Sequence, residues 1–192
     1  MNNERIKRVA ILYGTRYGST REVATKIGEI LKKSEIDAHV FNLEDIIIDK
    51  KFNLDYYDGI ILGTSIYNCS DWTKGAKKFL KIYSKKLKQK NLIFGIFTLC
   101  GTASDKSKIP ELRKTLIEEK IHKYALKSQC YDVFGGVLDL SDESKMSKFD
   151  LKIGKLMCNT LSNLKRGKNN DFRDWDQIKT FTENFQEILQ LS

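Results

Sequence analysis

Residues 9–24 read Val-Ala-Ile-Leu-Tyr-Gly-Thr-Arg-Tyr-Gly-Ser-Thr-Arg-Glu-Val-Ala. The first five, Val9 to Tyr13, form an apolar run typical of a buried strand, and Gly14 ends it. Beyond a loop of glycine and hydroxyl residues, apolar side chains recur at helical spacing at Val23, Ile27, Ile30 and Leu31. The pattern predicts a strand, a loop and a helix, which is the opening βα unit of an α/β fold.

Further strands are predicted where apolar runs lie between charged or turn-forming residues. They are residues 38–43, 59–63, 91–99 and 131–140, the last interrupted by Gly135 and Gly136. Apolar side chains at helical spacing predict helices at about residues 76–87, 110–124, 145–164 and 175–191. The final helix has Asp174 and Gln177 at the spacing of a capping box.

Strands that alternate with helices imply right-handed crossovers and a parallel sheet covered on both faces. With five strands, we expect an α/β three-layer sandwich whose sheet has the doubly wound order 2-1-3-4-5. The chain has 192 residues, and no linker divides it. We therefore expect a single domain over residues 1–192.

The chain is strongly basic, with a formal net charge of +9 and a pI near 9.3. Such a charge suits an anionic membrane surface, a carboxylate-bearing substrate or an acidic redox protein, and we do not expect a nucleic acid. The lysines alternate with acidic residues along helical stretches, so a merely solvated surface is an equal alternative.

The four cysteines lie far apart, without a histidine at ligand spacing, at Cys69, Cys100, Cys130 and Cys158. This pattern predicts neither a zinc site nor a dithiol redox motif. The polar amino terminus runs into an apolar stretch that is too short for a signal peptide or a membrane span. We therefore expect a cytoplasmic protein with reduced thiols and no metal.

In a doubly wound sheet, ligands bind beyond the carboxyl ends of the strands, where the strand order reverses. Three loops are expected to meet there, at residues 14–20, 64–72 and 98–105. The first loop precedes a helix, whose positive end and N–H groups favour a phosphate. Its spacing is neither that of a dinucleotide-binding loop nor that of a Walker loop, which favours a monophosphate.

The first loop contributes the candidate cofactor-binding residues Thr15, Arg16, Tyr17, Gly18, Ser19 and Thr20. Their hydroxyl and main-chain N–H groups can converge on one phosphate. An alternative interpretation is that Ser19 and Glu22 form a capping box for the helix. The two can coexist, because a helix end offers several N–H donors.

The other two loops offer groups for a flat ring system. The candidates are Ser65, Ile66, Tyr67 and Asn68 in the second loop and Thr98, Leu99, Cys100 and Gly101 in the third. Tyr67 follows a buried strand and can stack on a conjugated ring, whereas Trp72 is more typical of core packing. In the third loop, main-chain groups are available and Gly101 permits close approach.

Residues 9–24 resemble the phosphate loop of flavodoxins, and specifically that of the branch containing the menaquinone-dependent protoporphyrinogen IX dehydrogenases. The resemblance continues through Gly63 to Tyr67, through Phe134 to Leu138 and into the closing helix from Asp174, so it covers nearly the whole chain. It implies a flavodoxin-like fold, FMN as the cofactor and redox chemistry at the isoalloxazine ring. The dehydrogenase branch further implies that an anionic porphyrinogen is oxidised and that electrons pass to a quinone.

The chain departs from that branch in the second loop. Members of the branch tend to have a basic residue between the isoleucine and the tyrosine and a glycine after them, where this chain has Ile66-Tyr67-Asn68. The substrate is therefore left open. The alternatives are a flavodoxin-type electron carrier that docks a redox partner and, from another class, an interaction module without a cofactor.

Residues 145–168 combine basic with apolar side chains. As an amphipathic helix, they predict peripheral contact with the inner face of the membrane, where a quinone is within reach. The competing interpretation is that the apolar side chains form the core face of a helix that covers the sheet. The sequence leaves catalytic residues and oligomeric state open.

Overall fold

The computed structural model describes residues 5–49, 52–67, 71–90, 92–158 and 164–192. Its strands are β1 (Arg8–Gly14), β2 (Asp37–Asn42), β3 (Gly59–Tyr67), β4 (Asp71–Trp72), β5 (Ile93–Cys100), β6 (Cys130–Gly135), β7 (Val137–Asp139) and β8 (Asn169–Asp171). Its helices are α1 (Ser19–Lys33), α2 (Leu43–Asp49), α3 (Lys74–Gln89), α4 (Ile109–Arg113), α5 (Glu119–Tyr124), α6 (Lys148–Met157) and α7 (Trp175–Gln190). A π-helical turn, Lys114–Glu118, joins α4 to α5.

The central sheet has the order β2-β1-β3-β5-β6, and each neighbouring pair along it is parallel. This order is 2-1-3-4-5 for the five predicted strands, so the doubly wound arrangement is confirmed. β4 adds a short antiparallel pair at the end of β3, with Ile66 opposite Trp72. The strand order reverses between β1 and β3, whose carboxyl ends therefore mark the expected ligand position.

Alternate strand residues enter two cores on opposite faces of the sheet. One core, beneath α1 and α7, contains Val9 and Ile11 of β1. The other, beneath α3 and the α4–α5 helix, contains Ala10 and Leu12 of the same strand. Helices therefore cover both faces, and the molecule has the predicted three-layer α/β sandwich of a flavodoxin-like fold.

The last helix, α7, packs close to the middle of the sheet. A Cβ atom added at Gly59 or Gly95 would lie 2.9 Å from the ring of Phe185, so these glycines make room for that ring. Asp174 caps the helix by accepting hydrogen bonds from the N–H groups of Asp176 and Gln177. The Gln177 side chain donates to Asp132 Oδ2 at 3.0 Å instead of completing a capping box.

The chain after β6 differs from the prediction of one interrupted strand over residues 131–140. β6 ends at Gly135, where a side chain would collide with the main-chain carbonyl of Phe172, and β7 pairs antiparallel with β8 in a separate sheet. The helix predicted over residues 145–164 is also shorter. It is α6, which begins after Ser147, and residues 159–163 lie outside the described part of the chain.

We call β7, α6, β8 and the residues next to them the covering segment (residues 137–158 and 164–172). It has a small core of its own, formed by Leu138, Leu140, Leu151, Cys158, Leu164 and Phe172. Along the described ranges, no helix has both the length and the apolar composition needed to cross a membrane.

Candidate functional site

A cavity of about 140 Å³ lies at the carboxyl edge of the sheet, where the strand order reverses. All three predicted loops line it, through Arg16, Tyr17, Ser19, Ser65, Ile66, Leu99, Cys100 and Gly101. The covering segment supplies a further wall, through Val137, Leu138, Met146, Asp150, Ile153 and Gly154. The structure therefore brings most of the predicted site residues together around one cavity.

The loop after β1 leads into a helix end without a side-chain cap. Gly18 is the N-cap of α1, and its left-handed φ of 101° is one that glycine adopts without strain. The Gly18 N–H donates to Thr15 Oγ1 at 2.9 Å, which closes the loop on itself. The N–H groups of the first helical turn therefore point beyond the helix end, where the helix dipole favours an anion.

The capping-box interpretation of this loop is wrong. Ser19 is the first residue of α1 and not its cap, and no side-chain cap is made at this end. The Glu22 carboxylate instead accepts a hydrogen bond from Arg173 Nη1 at 2.5 Å. The Glu22 N–H donates to the Gly18 carbonyl at 3.2 Å, so the N–H groups that precede it in the first turn are those that can meet a ligand.

Two fully buried threonine hydroxyls, those of Thr20 and Thr98, have no hydrogen-bond partner within the described ranges. Leaving a buried hydroxyl unpaired costs about 1–3 kcal/mol. Thr20 lies in the first turn of α1, next to Ser19, which lines the cavity, so an anion at this helix end is a candidate for the missing partner. Together with the Ser19 hydroxyl and the main-chain N–H groups, it forms a neutral donor set that fits a monophosphate.

Arg16 and Tyr17 direct their side chains to the covering segment. The Arg16 guanidinium donates to Asp150 Oδ1 at 2.9 Å and lies 2.8 Å from Oδ2, and the Tyr17 hydroxyl donates to Oδ2. Burial would raise the pKa of Asp150, but hydrogen bonds from Tyr17 and Ser147 and the charge of Arg16 hold that pKa below its usual value. Asp150 is therefore an anion with three partners.

The second loop follows the end of β3, where a contact between two hydroxyl groups connects β3 to the start of α3. Thr64 is buried, and its hydroxyl lies 3.0 Å from that of Thr73, the N-cap of α3. Ser65 and Ile66 line the cavity, whereas Tyr67 is described only as the last residue of β3 and Asn68 lies outside the described residues. Trp72 is buried and donates from Nε1 to the Leu116 carbonyl at 2.7 Å, which confirms its interpretation as a core residue.

The third loop follows β5. Leu99, Cys100 and Gly101 line the cavity, and Gly101 begins a short 3₁₀ turn that ends at Ser104. Thr98 is enclosed in the sheet, beside Thr64 of β3. Of the four candidates in this loop, three are therefore placed where main-chain groups can meet a ligand.

The sequence prediction missed the wall that the covering segment contributes. Gly136, Val137, Met146 and Asp150 all line the cavity. The available signal was Gly135-Gly136, because a glycine pair at the end of the fifth strand falls at the same edge of the sheet as the other loops. Asp150 had no such signal, since it lies 134 residues from Arg16 in the chain.

The fold and the site define a doubly wound α/β protein with a cavity and an uncapped helix end at the point where strand order reverses. Proteins of this class bind nucleotide cofactors at that point. The chain belongs to the flavodoxin domain family, whose model, described as Flavodoxin domain, matches residues 10–165. No curated protein matches the chain.

Solved structures similar to this chain include three with related folds. Oxidised flavodoxin 1 of Bacillus cereus has a TM-score of 0.55 at 15% identity, with 94% of this chain and 98% of that chain covered. Fusobacterium nucleatum flavodoxin, bound to flavin mononucleotide, has a TM-score of 0.52 at 15% identity, with 96% and 98% covered. The rubredoxin oxygen:oxidoreductase of Desulfovibrio gigas has a TM-score of 0.58 at 13% identity, and the match covers 96% of this chain but only 36% of that one. At these identities the likeness shows the fold.

Proposed function

We propose that this chain binds FMN in the cavity at the sheet edge and serves as a flavodoxin-type electron carrier. The observation that carries the proposal is the end of α1, where an uncapped helix and the unpaired, buried Thr20 hydroxyl meet at the strand-order reversal. Membership of the flavodoxin domain family supports it, as does the F. nucleatum flavodoxin that holds FMN.

In this proposal, Thr15, Gly18, Ser19 and Thr20 hold the phosphate through hydroxyl and N–H groups. The candidates of the second and third loops that line the cavity form walls for the ribityl chain and the ring, namely Ser65, Ile66, Leu99, Cys100 and Gly101. Contacts of Tyr67 and Asn68 with the ring remain predictions from the sequence. When bound, FMN supplies a ring that accepts and returns electrons, while the protein positions the ring and excludes water from it.

The composition of the cavity supports a carrier over an acid–base enzyme. Its ionisable lining residues in the described part of the chain are Arg16, Tyr17, Cys100 and Asp150. Asp150 is paired with Arg16 and Tyr17, and its lowered pKa keeps it ionised near neutral pH. A carboxylate held in this way is a poor general acid, because it carries no proton to give.

The proposal is tested by adding FMN to the apoprotein and following the quenching of flavin fluorescence. We expect one FMN per chain, a yellow complex that dithionite bleaches, and return of the colour on adding an acceptor protein. A chain that stays colourless in excess FMN would instead be an interaction module without a cofactor, and the proposal would fail.

A second candidate is an enzyme of the protoporphyrinogen IX dehydrogenase type. It is favoured by the resemblance of residues 9–24 and of the closing helix, and by the basic surface, which suits the carboxylates of a porphyrinogen. FMN-loaded protein supplied with protoporphyrinogen IX and a menaquinone analogue would then form protoporphyrin, seen by its fluorescence. An FMN-loaded protein that exchanges electrons with protein partners but forms no protoporphyrin would exclude this candidate.

The outer side of α6 supports a peripheral contact with an anionic membrane surface. Phe149 and Leu156 are seven residues apart, on one side of the helix, and are 60% and 67% exposed. The exposed side chains of Lys148, Lys152 and Lys155 lie on the same helix. We propose that this side rests on the inner face of the membrane, which would bring a quinone acceptor close to the cavity.

A further inference from the structure

The Asp150 carboxylate connects the loop after β1 to the covering segment. Arg16 and Tyr17, on the loop, both bind Asp150 of α6, and the Arg16 guanidinium also lies 5.2 Å from the centre of the Tyr17 ring. On the α6 side, the Ser147 hydroxyl donates to Asp150 at 2.7 Å and the Ser147 N–H donates to the Tyr17 hydroxyl at 3.2 Å. We call Arg16, Tyr17 and Asp150 the clamp.

We infer that Asp150 is a positioning residue that holds the covering segment closed over the cofactor site, so that FMN enters and leaves only when the clamp opens. The inference rests on the proposed function, since it concerns how fast the proposed cofactor exchanges. It assigns Arg16 to the closure of the site and not to the recognition of the phosphate.

The clamp has the geometry of a strong interaction. The Arg16 guanidinium and the Asp150 carboxylate meet through two nearly equal contacts of 2.9 and 2.8 Å, which is the bidentate arrangement of a charge-assisted pair. The Asp150 side chain is 9% exposed and that of Arg16 is 36% exposed, so the pair is shielded from water on the side of the carboxylate. An ion pair on an open surface would contribute much less.

The position of the covering segment places it beside any ligand in the cavity. Met146, Asp150, Ile153 and Gly154 of this segment form one side of the cavity. A flavin seated there would lie against α6, which the clamp holds to the loop after β1.

The charges at the loop also support a role for Arg16 in closing the site and not in binding the phosphate. Asp150 already neutralises Arg16, so a phosphate at the end of α1 would meet neutral hydroxyl and N–H donors. If Arg16 instead bound the phosphate, it would have to leave a nearly buried carboxylate without its cation. Such a loss is strongly unfavourable inside a protein.

The experiment measures the dissociation rate of FMN and of riboflavin, which lacks the phosphate, by the recovery of flavin fluorescence after dilution. The variants are Asp150→Asn, Arg16→Gln, Tyr17→Phe and the double variant Arg16→Gln/Asp150→Asn. Lys152→Gln is the matched control, because it removes a charge from the same helix outside the clamp and the cavity. Hydrogen exchange of residues 137–158 in the apoprotein is followed in parallel.

We expect Arg16→Gln and Asp150→Asn each to release both flavins at least tenfold faster, with the ratio of FMN to riboflavin rates unchanged. The double variant should release FMN no faster than the single variant with the higher dissociation rate, because each single change already opens the clamp. Lys152→Gln should behave as the wild type. Hydrogen exchange in α6 should accelerate in both clamp variants even without flavin.

The inference is overturned if Arg16→Gln accelerates FMN release but leaves riboflavin release unchanged, which would make Arg16 a phosphate ligand. It is also overturned if all clamp variants stay within twofold of the wild type. Failure of the proposed function is seen separately, as a wild-type protein that binds neither flavin. In that case hydrogen exchange in the apoprotein still decides whether the clamp holds α6.

Discussion

Thr20 and Thr182 are both fully buried threonines on helices, and they differ in how their hydroxyl groups are satisfied. Thr182 donates to the Ile178 carbonyl at 2.8 Å, whereas Thr20 has no partner within the described ranges. A buried polar group without a partner is unfavourable in the folded state and marks a position where a ligand can supply one. The pair is therefore a natural test of the phosphate cradle.

Thr20→Val should weaken FMN binding by roughly 5- to 30-fold, which corresponds to the loss of about 1–2 kcal/mol from one hydrogen bond. It should leave the apoprotein as stable as before or slightly more stable, because an unpaired hydroxyl is removed. Thr182→Val should leave FMN affinity unchanged and lower the free energy of unfolding. Flavin titration and urea unfolding of both variants provide the comparison, and equal FMN affinities would contradict the role given to Thr20.

The pH dependence of the clamp follows from Asp150. The pKa of this carboxyl lies below its ordinary value of 3.8, because hydrogen bonds and the charge of Arg16 outweigh burial. A lowered pKa stabilises the folded state above the ordinary value, and that contribution is lost as the pH falls through the lowered pKa. The difference in unfolding free energy between wild type and Asp150→Asn should be constant from pH 8 to about pH 5 and shrink below about pH 4. Urea unfolding across this range measures it, and a difference that disappears already near pH 6 would argue against the clamp.

At the scale of residues, the sequence predicted features that depend on neighbouring positions in the chain. The loop from Gly14 to Thr20 was predicted as a phosphate site because it combines glycines and hydroxyl residues between a strand and a helix, a composition that also suits helix capping. Asp150 was not recognisable, because its significance depends on a contact with Arg16 across 134 positions of the chain. Spacing within a motif carries no information about such a contact.

At the scale of elements, α7 shows how a helix is fixed to the sheet by one ring. Phe185 is fully buried and lies against Gly59 and Gly95, where any side chain would crowd it. The inward apolar stripe of α7 was predicted from Ile178, Phe181, Phe185 and Ile188. The first three are buried, and Ile188 is half-buried and packs against the same core. The role of Gly59 and Gly95, which make room for the Phe185 ring, is seen only in the packing.

Phe185→Ala should lower the free energy of unfolding by about 3–5 kcal/mol, since it leaves a cavity that the rigid sheet cannot fill. Phe149→Ala is the matched control, because Phe149 is 60% exposed and should change stability by no more than about 0.5 kcal/mol. Urea unfolding of the apoproteins gives both values. Similar losses for the two phenylalanines would show that α7 is not a central part of the core.

The contact proposed between α6 and a membrane is tested by sedimentation with lipid vesicles. The chain should bind vesicles that contain phosphatidylglycerol, bind less as salt is added, and bind poorly to phosphatidylcholine alone. Phe149→Ser/Leu156→Ser should weaken binding at least tenfold, because two apolar side chains no longer enter the interface. Ile82→Ser is the control, since Ile82 is 52% exposed on the lysine-rich helix α3. If Ile82→Ser weakens vesicle binding as much as Phe149→Ser/Leu156→Ser does, α6 is not the specific contact with the membrane.

Sequence periodicity failed to predict α2 (Leu43–Asp49) and β4 (Asp71–Trp72), and it gave the wrong bounds for the elements between β6 and α7. Residues 131–140 look like one strand because their apolar pattern is continuous, but the close approach of the Phe172 main chain at Gly135 divides them between two sheets. Residues 145–164 look like one long helix for the same reason. The period of a pattern indicates a structure type, whereas the end of an element here depends on a distant segment.

At the scale of the whole molecule, the main cores and the covering segment differ in size. The two cores of the sheet contain most of the buried apolar residues. The core of the covering segment has two buried residues, Leu140 and Leu164, and four half-buried neighbours. Local opening is easier where few apolar contacts must be broken. The covering segment should therefore open more readily than the sheet while still belonging to the single domain predicted for residues 1–192.

This expectation is tested by comparing global unfolding with local opening. Urea unfolding followed by far-UV circular dichroism and by Trp72 fluorescence, in a Trp175→Phe background, should give one coincident transition, because Trp72 is buried in the main core and reports on it directly. Hydrogen exchange under native conditions should show β7 and α6 opening at a lower free energy than β1, β3 and β5, and the gap should narrow when FMN is bound. Two separated urea transitions would instead mean that the covering segment folds as a unit of its own.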